Sequence, residues 1–187
     1  MKMGNNRKVF FKIVVPNYNN YIYIKKCLDS IKEQTFKDYV CIVVDDLSTD
    51  DSFKIAQIYA KRDPEHFVAI KMDKKGHEGG ARNKGIDYPI DCEYYYFVDS
   101  DDYLHDKDVL KDVNKTLLKN FPDILFIKMM MFFDSNPSKK HVISQPKFRY
   151  DNIRLFISAF NSACIKFVKS SKMVKFLEGC DHAADVY

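Results

Sequence analysis

Apolar runs and helical-period stretches alternate through the first two-thirds of the chain. Val9 to Val15 is apolar apart from Lys12 and stops at Pro16, Asn17, Asn19 and Asn20, which predicts a buried strand closed by a turn. From Tyr21 to Gln34, Ile24, Cys27, Leu28 and Ile31 recur at helical spacing. Tyr39 to Val44 predicts a second strand, ending at Asp45-Asp46. Ser48, Thr49, Asp50 and Asp51 are N-cap residue types for a helix with Ile55, Ile58 and Tyr59 on its apolar side. Phe67 to Met72 is a third strand. Four of the six glycines, Gly76, Gly79, Gly80 and Gly85, then precede or enter a helix predicted from about Ala81 to Pro89. A strand rich in aromatics runs from Glu93 into Asp99, and a helix from about Asp106 to Leu118 turns Val109, Leu110, Val113 and Leu117 inward. Ile124 to Met131 reads as one core strand.

Strands alternating with helices at this spacing imply right-handed βαβ units, a largely parallel sheet and an α/β fold. Ligands of such sheets bind outside the carboxyl ends of the strands, where Asn17, Asp45, Gly79 and Asp99 converge. After residue 132 the pattern weakens. Asp134 to Lys140 has loop composition, and Pro146 argues that Ser144 to Tyr150 is an edge strand or a lid. Asp151 to Phe160 and Ser170 to Leu177 read as helices, and Ala163 to Val168 as a strand. The expected organisation is one domain, 1–187, with a nucleotide-facing half over 1–131 and an acceptor-facing part over 132–187.

Composition narrows the classes. With 46% hydrophobic residues the chain can bury a core, and a net charge of +4 with interspersed signs gives no argument for nucleic acid. Cys27, Cys41, Cys92, Cys164 and Cys180 are scattered, without zinc spacing or a disulfide pattern, which points to reduced thiols and a cytoplasmic setting. No signal-like segment and no apolar run of about 18 residues is present, so contact with a membrane is expected to be peripheral at most.

The candidate chemistry sits at the end of the fourth strand. Phe97-Val98-Asp99-Ser100-Asp101-Asp102 places three carboxylates within four positions, and residues two apart project from the same face. Asp99 and Asp101 therefore offer two hard oxygen ligands suited to Mn²⁺ or Mg²⁺ shared with phosphates. A helix-capping acidic loop is the alternative. Asp106-Lys107-Asp108 has the same spacing, but at a helix start, where carboxylates cap free N–H groups.

Three stretches together resemble the family 2 glycosyltransferases, which have the GT-A fold. They are Ile13-Val14-Val15-Pro16-Asn17-Tyr18-Asn19-Asn20 continuing to Val44-Asp45-Asp46, then Gly79-Gly80-Ala81-Arg82-Asn83-Lys84-Gly85, then Val98-Asp99-Ser100-Asp101-Asp102. The resemblance implies a Rossmann-like, mostly parallel sheet flanked by helices, with a short acceptor-side C-terminal extension. It also implies a metal-dependent, inverting transferase that uses a nucleoside-diphosphate sugar, UDP-linked by preference. Pro16, Asn17 and Tyr18 would wall the base and ribose, and Asp45 would accept from the base. Gly79, Gly80 and Arg82 would meet the diphosphate, Asp99 and Ser100 the ribose or metal, and Asp101 the metal. The family often has glycine where His77 stands. Its base is a downstream carboxylate, for which Asp185 fits best and Asp181 is the second candidate, with Ala184 in place of the usual Glu. The acceptor would be a glycan, a lipid-linked sugar or another hydroxyl compound. Family members usually continue with further helices, so the resemblance implies a truncated domain or a small variant. A non-catalytic nucleotide-sugar-binding domain and a sugar nucleotidyltransferase are the competing readings.

Overall fold

The computed structural model describes residues 7–133, 136–143 and 163–176. Its elements in chain order are β1 (Lys8–Asn17), α1 (Tyr21–Lys32), β2 (Tyr39–Asp45), α2 (Ser52–Arg62), β3 (Phe67–Lys71), α3 (His77–Ile86), β4 (Asp91–Phe97), α4 (Val109–Asn120), β5 (Ile124–Phe126), β6 (Met129–Phe133), β7 (Asn136–Ile143) and β8 (Lys166–Lys169). A six-stranded sheet has the order β3-β2-β1-β4-β8-β5, and β6 with β7 forms a separate ribbon. β1 pairs parallel with β2 and β4, and β2 with β3. β8 lies antiparallel between β4 and β5.

The strands are apolar on both faces because both faces are covered. Phe11, Ile13, Val15, Cys41, Val43, Tyr94 and Tyr96 join one core with Ile24, Leu28 and Ile31 of α1, Ala56 of α2 and Leu110, Val113 and Leu117 of α4. Val14, Val40, Ile42, Val44, Tyr95 and Phe97 form the other core with Ala81 of α3. A Cβ at Gly85 would come within 2.4 Å of Val14 Cγ1, so only glycine lets α3 lie this close to β1. Lys12 of β1, 1% exposed, donates to the carbonyls of Ile86 (3.0 Å) and Tyr88 (2.9 Å) at the C-terminal end of α3. A cation there complements the helix dipole, although burial, its main influence, lowers the ammonium's pKa. α3 is thereby fixed with its N-terminus toward the carboxyl ends of the strands.

The expected βαβ series and largely parallel sheet are observed, with several corrections. α3 begins at His77, four residues before Ala81, so Gly79 and Gly80 belong to the helix. α4 begins at Val109, after Asp106 and Asp108. Ile58 is 46% exposed, and Ala56 takes the inner position on α2. The apolar run from Ile124 to Met131 divides into β5 and β6, because β8 pairs with only Ile124–Phe126. Residues 136–140, loop-like in composition, enter β7, where pairing with β6 outweighs local preference. Ala163–Ile165 is a 3-10 turn before β8, and Ser170–Lys172 is a 3-10 turn in place of a helix to Leu177. The segments 144–150 and 151–160, along with Asp181 and Asp185, lie outside the described residues.

Candidate functional site

The site is assembled from three adjacent strand ends. In the β1–β2 register Asn17 lies opposite Asp45. Asn17 Nδ2 donates to Asp45 Oδ1 (2.7 Å) and to Ser52 Oγ (2.9 Å). Asp45 also accepts from the Ser48 backbone N–H (3.0 Å) and hydroxyl. Asp45 is fully buried, so its carboxylate holds the turn behind the cleft wall. Asn17 Oδ1 is a different matter. It is buried and has no hydrogen-bond partner among the described residues, yet Asn17 lines the cleft. A buried acceptor of this kind calls for a donor from elsewhere. Asn19, with φ 50°, accepts from the backbone of Thr49 (2.7 Å) and anchors the loop after β2.

Asp46 points the other way from Asp45 and lines the cleft. It accepts from the backbone N–H groups of Gly76 (2.7 Å) and His77 (2.9 Å) and pairs with Lys75 at 3.1 Å. Asp46 thus caps the entry to α3 from a neighbouring strand. His77 has φ 56°, a left-handed conformation that favours glycine. Lys75 Nζ lies over the ring of Tyr18, which is 51% exposed and so is a wall of the cleft instead of a core aromatic.

The third strand end is the carboxylate loop. Arg82, 1% exposed, donates to Asp99 Oδ1 at 2.9 Å and lies 3.4 Å from Glu78. Asn20 of the first turn donates to Ser100 Oγ at 2.7 Å, tying the start of α1 to this loop. Burial, with Asp99 and Asp101 beside it, pushes the Asp102 carboxyl up to about 6. Asp99, Asp102 and Cys164 bring potential ligand atoms within 4.8 Å of one another. Burial holds the Cys164 thiol well above its ordinary pKa, so it stays protonated and suits a hard divalent cation poorly. The carboxylates fit such a cation. Burial first, and then the charges of Asp99 and Asp101, raise Asp102, and a positive charge would relieve the repulsive part.

Six of the sequence-predicted residues, Pro16, Asn17, Tyr18, Asp99, Ser100 and Asp101, line one cleft of about 440 Å³. Asp45, Gly79, Gly80 and Arg82 do not line it. They stand one layer behind, Asp45 under Asn17, the glycines in the first turns of α3 and Arg82 against Asp99. Sequence reasoning passed over Asp46, Asn20 and Lys75 in the cleft. The adjacent Asp45-Asp46 pair was the available signal, since consecutive strand residues face opposite sides.

The family model for glycosyl transferase family 2 matches residues 12–175. Glycosyltransferase GlyA of Streptococcus pneumoniae is 31% identical over 157 residues, 82% of this chain and 22% of that protein. A poly(ribitol-phosphate) beta-glucosyltransferase of Bacillus spizizenii is 35% identical over 156 residues, 77% of this chain and 24% of its own length. The crystal structure of S. aureus TarS 1-349 in complex with UDP-GlcNAc superposes with a TM-score of 0.76 and 26% identity, covering 94% of this chain and 51% of that one. The chain therefore has the GT-A architecture and spans about a quarter of the length of these curated relatives.

Proposed function

Because the chain belongs to glycosyl transferase family 2, we propose that it moves a sugar from a UDP-sugar to a hydroxyl of a glycan or polyol-phosphate acceptor, with inversion at the anomeric carbon. The observation that carries this reading is one cleft bounded by both the Asp99-Ser100-Asp101 loop and the entry to α3. It lies in the same architecture in which TarS holds UDP-GlcNAc. The exposed Tyr18 ring offers a face for a nucleobase, and Asn17 Oδ1 offers an acceptor for a base N–H. The first turn of α3, which reaches the cleft beside Lys75, suits a diphosphate. Asp46 secures that end of the helix, and Arg82 holds Asp99 in place.

Asp99 and Asp101 would hold Mn²⁺ or Mg²⁺. Such an ion supplies positive charge against the charge developing on the departing nucleoside diphosphate. A downstream carboxylate, Asp185 in our reading with Asp181 as second choice, would take the proton of the acceptor hydroxyl as its oxygen bonds to the anomeric carbon. The bond from that carbon to the diphosphate breaks in the same step. The relatives named for poly(ribitol-phosphate) support a polyol-phosphate acceptor. Cys27, Cys41, Cys92 and Cys164 are free and buried, which supports a cytoplasmic location, and we extend this to peripheral contact with the inner membrane face. No helix among the described residues is long and apolar enough to cross a membrane.

Calorimetric titration of UDP and UDP-GlcNAc, with Mn²⁺ and with EDTA, tests the reading. Metal-dependent binding that weakens about tenfold or more in Asp101→Ala is expected. Binding indifferent to both metal and substitution would overturn it.

A further inference from the structure

The carboxylate loop has a second side. Asp99, Ser100 and Asp101 line the donor cleft, whereas Asp102, Tyr103, Leu104 and His105 line a separate cavity, also of about 440 Å³. The remaining walls come from Tyr96 and Val98 at the end of β4, from the start of α4, from Cys164 and from Ile127, Lys128 and Met130, where the chain leaves β5 for β6. We propose that this cavity binds the acceptor, as a phosphate-bearing sugar or polyol unit. The inference rests on the donor reading above and assigns the other substrate of the same reaction.

The lining chemistry matches that ligand group by group. Aromatic and aliphatic walls suit the C–H faces of a sugar or polyol, and the ring of Tyr103 is steadied by the Lys26 ammonium 3.7 Å from its centre. The Asp102 carboxylate accepts hydrogen bonds from hydroxyls. Lys128 and His105 are exposed at the rim, and among the described residues neither makes a hydrogen bond or ion pair. An ammonium with three uncommitted donors suits phosphate oxygens. Lys128 comes from the β5–β6 junction and not from the carboxylate loop, so the phosphate and the hydroxyl meet different walls. Position completes the argument. Asp102 and Cys164 of the cavity wall cluster with Asp99 within 4.8 Å, so a hydroxyl bound there lies beside the loop that faces the donor.

The test compares wild type with Lys128→Met and His105→Gln, using poly(ribitol phosphate) and UDP with Mn²⁺ as separate titrants. The expected result is polymer binding that weakens about tenfold in Lys128→Met, the scale of one charge-assisted contact, with UDP affinity unchanged. A neutral oligosaccharide should show no such dependence on Lys128. Polymer affinity untouched by both substitutions, or no polymer binding by a protein that binds UDP, overturns the inference and leaves the donor reading standing. Polymer binding with the expected Lys128 dependence but without any UDP binding supports the cavity and removes the donor reading instead.

Discussion

At the end of β2 the carboxylates of Asp45 and Asp46 are surrounded by donors, whereas at the end of β4 Asp99, Asp101 and Asp102 crowd one loop in which Arg82 pairs with Asp99. Asp45 has Asn17 and Ser48, and Asp46 has two backbone N–H groups and Lys75. The β4 loop holds three carboxylates, with Arg82 on Asp99, and the Asp102 carboxyl is raised to about 6. The same residue type is thus structural where the fold supplies its partners. Where the fold leaves charge uncompensated, a ligand is expected to complete the site.

The largest effect should come from stripping the satisfied end. Asp45→Ala removes the acceptor of the Ser48 N–H and hydroxyl and one of the acceptors of Asn17 Nδ2, and should cost about 2–3 kcal/mol of stability in a urea titration. UDP affinity per folded molecule should change less than in a cleft variant. Equal stability in wild type and Asp45→Ala would erase the contrast between the two ends.

At the other end the order reverses. Asp101→Ala should lose about tenfold or more in Mn²⁺-dependent UDP affinity, on the scale of a lost charged contact, while thermal stability without metal holds or rises. Isothermal titration and a melting curve on the same sample separate the two quantities.

The pH dependence tests the burial of Asp102 together with its charged neighbours. The Asp102 carboxyl is raised from an ordinary 3.8 to about 6, so the folded state binds its proton more tightly than the unfolded state. Its contribution to stability is fully present below about 4 and is lost as pH rises through about 6. In EDTA, unfolding free energy should therefore gain a downward trend over that interval of order 1 kcal/mol, after allowance for partial solvent screening. Asp102→Asn should flatten this trend. Added Mn²⁺ should flatten it too.

The smallest effect concerns the α3 entry. His77→Gly should gain about 1 kcal/mol by relieving the left-handed backbone, offset in part by unfolded-state entropy. A thermal shift of a few degrees checks it. A clear loss of stability would mean that the His77 ring makes contacts worth more than the strain.

Much of this arrangement was legible along the chain. The helical period of Ile24, Cys27, Leu28 and Ile31 is local, and all four are buried. The aromatic run into Asp99 is a central strand, as its composition required. Less legible were features that depend on distant partners. Ile124 to Met131 is uniformly apolar, and its division into β5 and β6 comes from β8, some forty residues later. The Asp45 assignment met the same obstacle. Either Asp45 or Asp46 could face the cleft, and the choice follows from the register that sets Asn17 against Asp45.

The sequence by itself determined the alternation of strands and helices, the edge at which the polar motifs gather and the residues that make the carboxylate loop. These depend on period, turn chemistry and spacing, which act over a few residues. The tertiary structure decided which carboxylates are compensated, how closely α3 approaches β1 through Gly85 and Lys12, and that one loop serves two cavities. Those outcomes depend on neighbours brought together from far along the chain, and a charge or a void has meaning only once its surroundings exist.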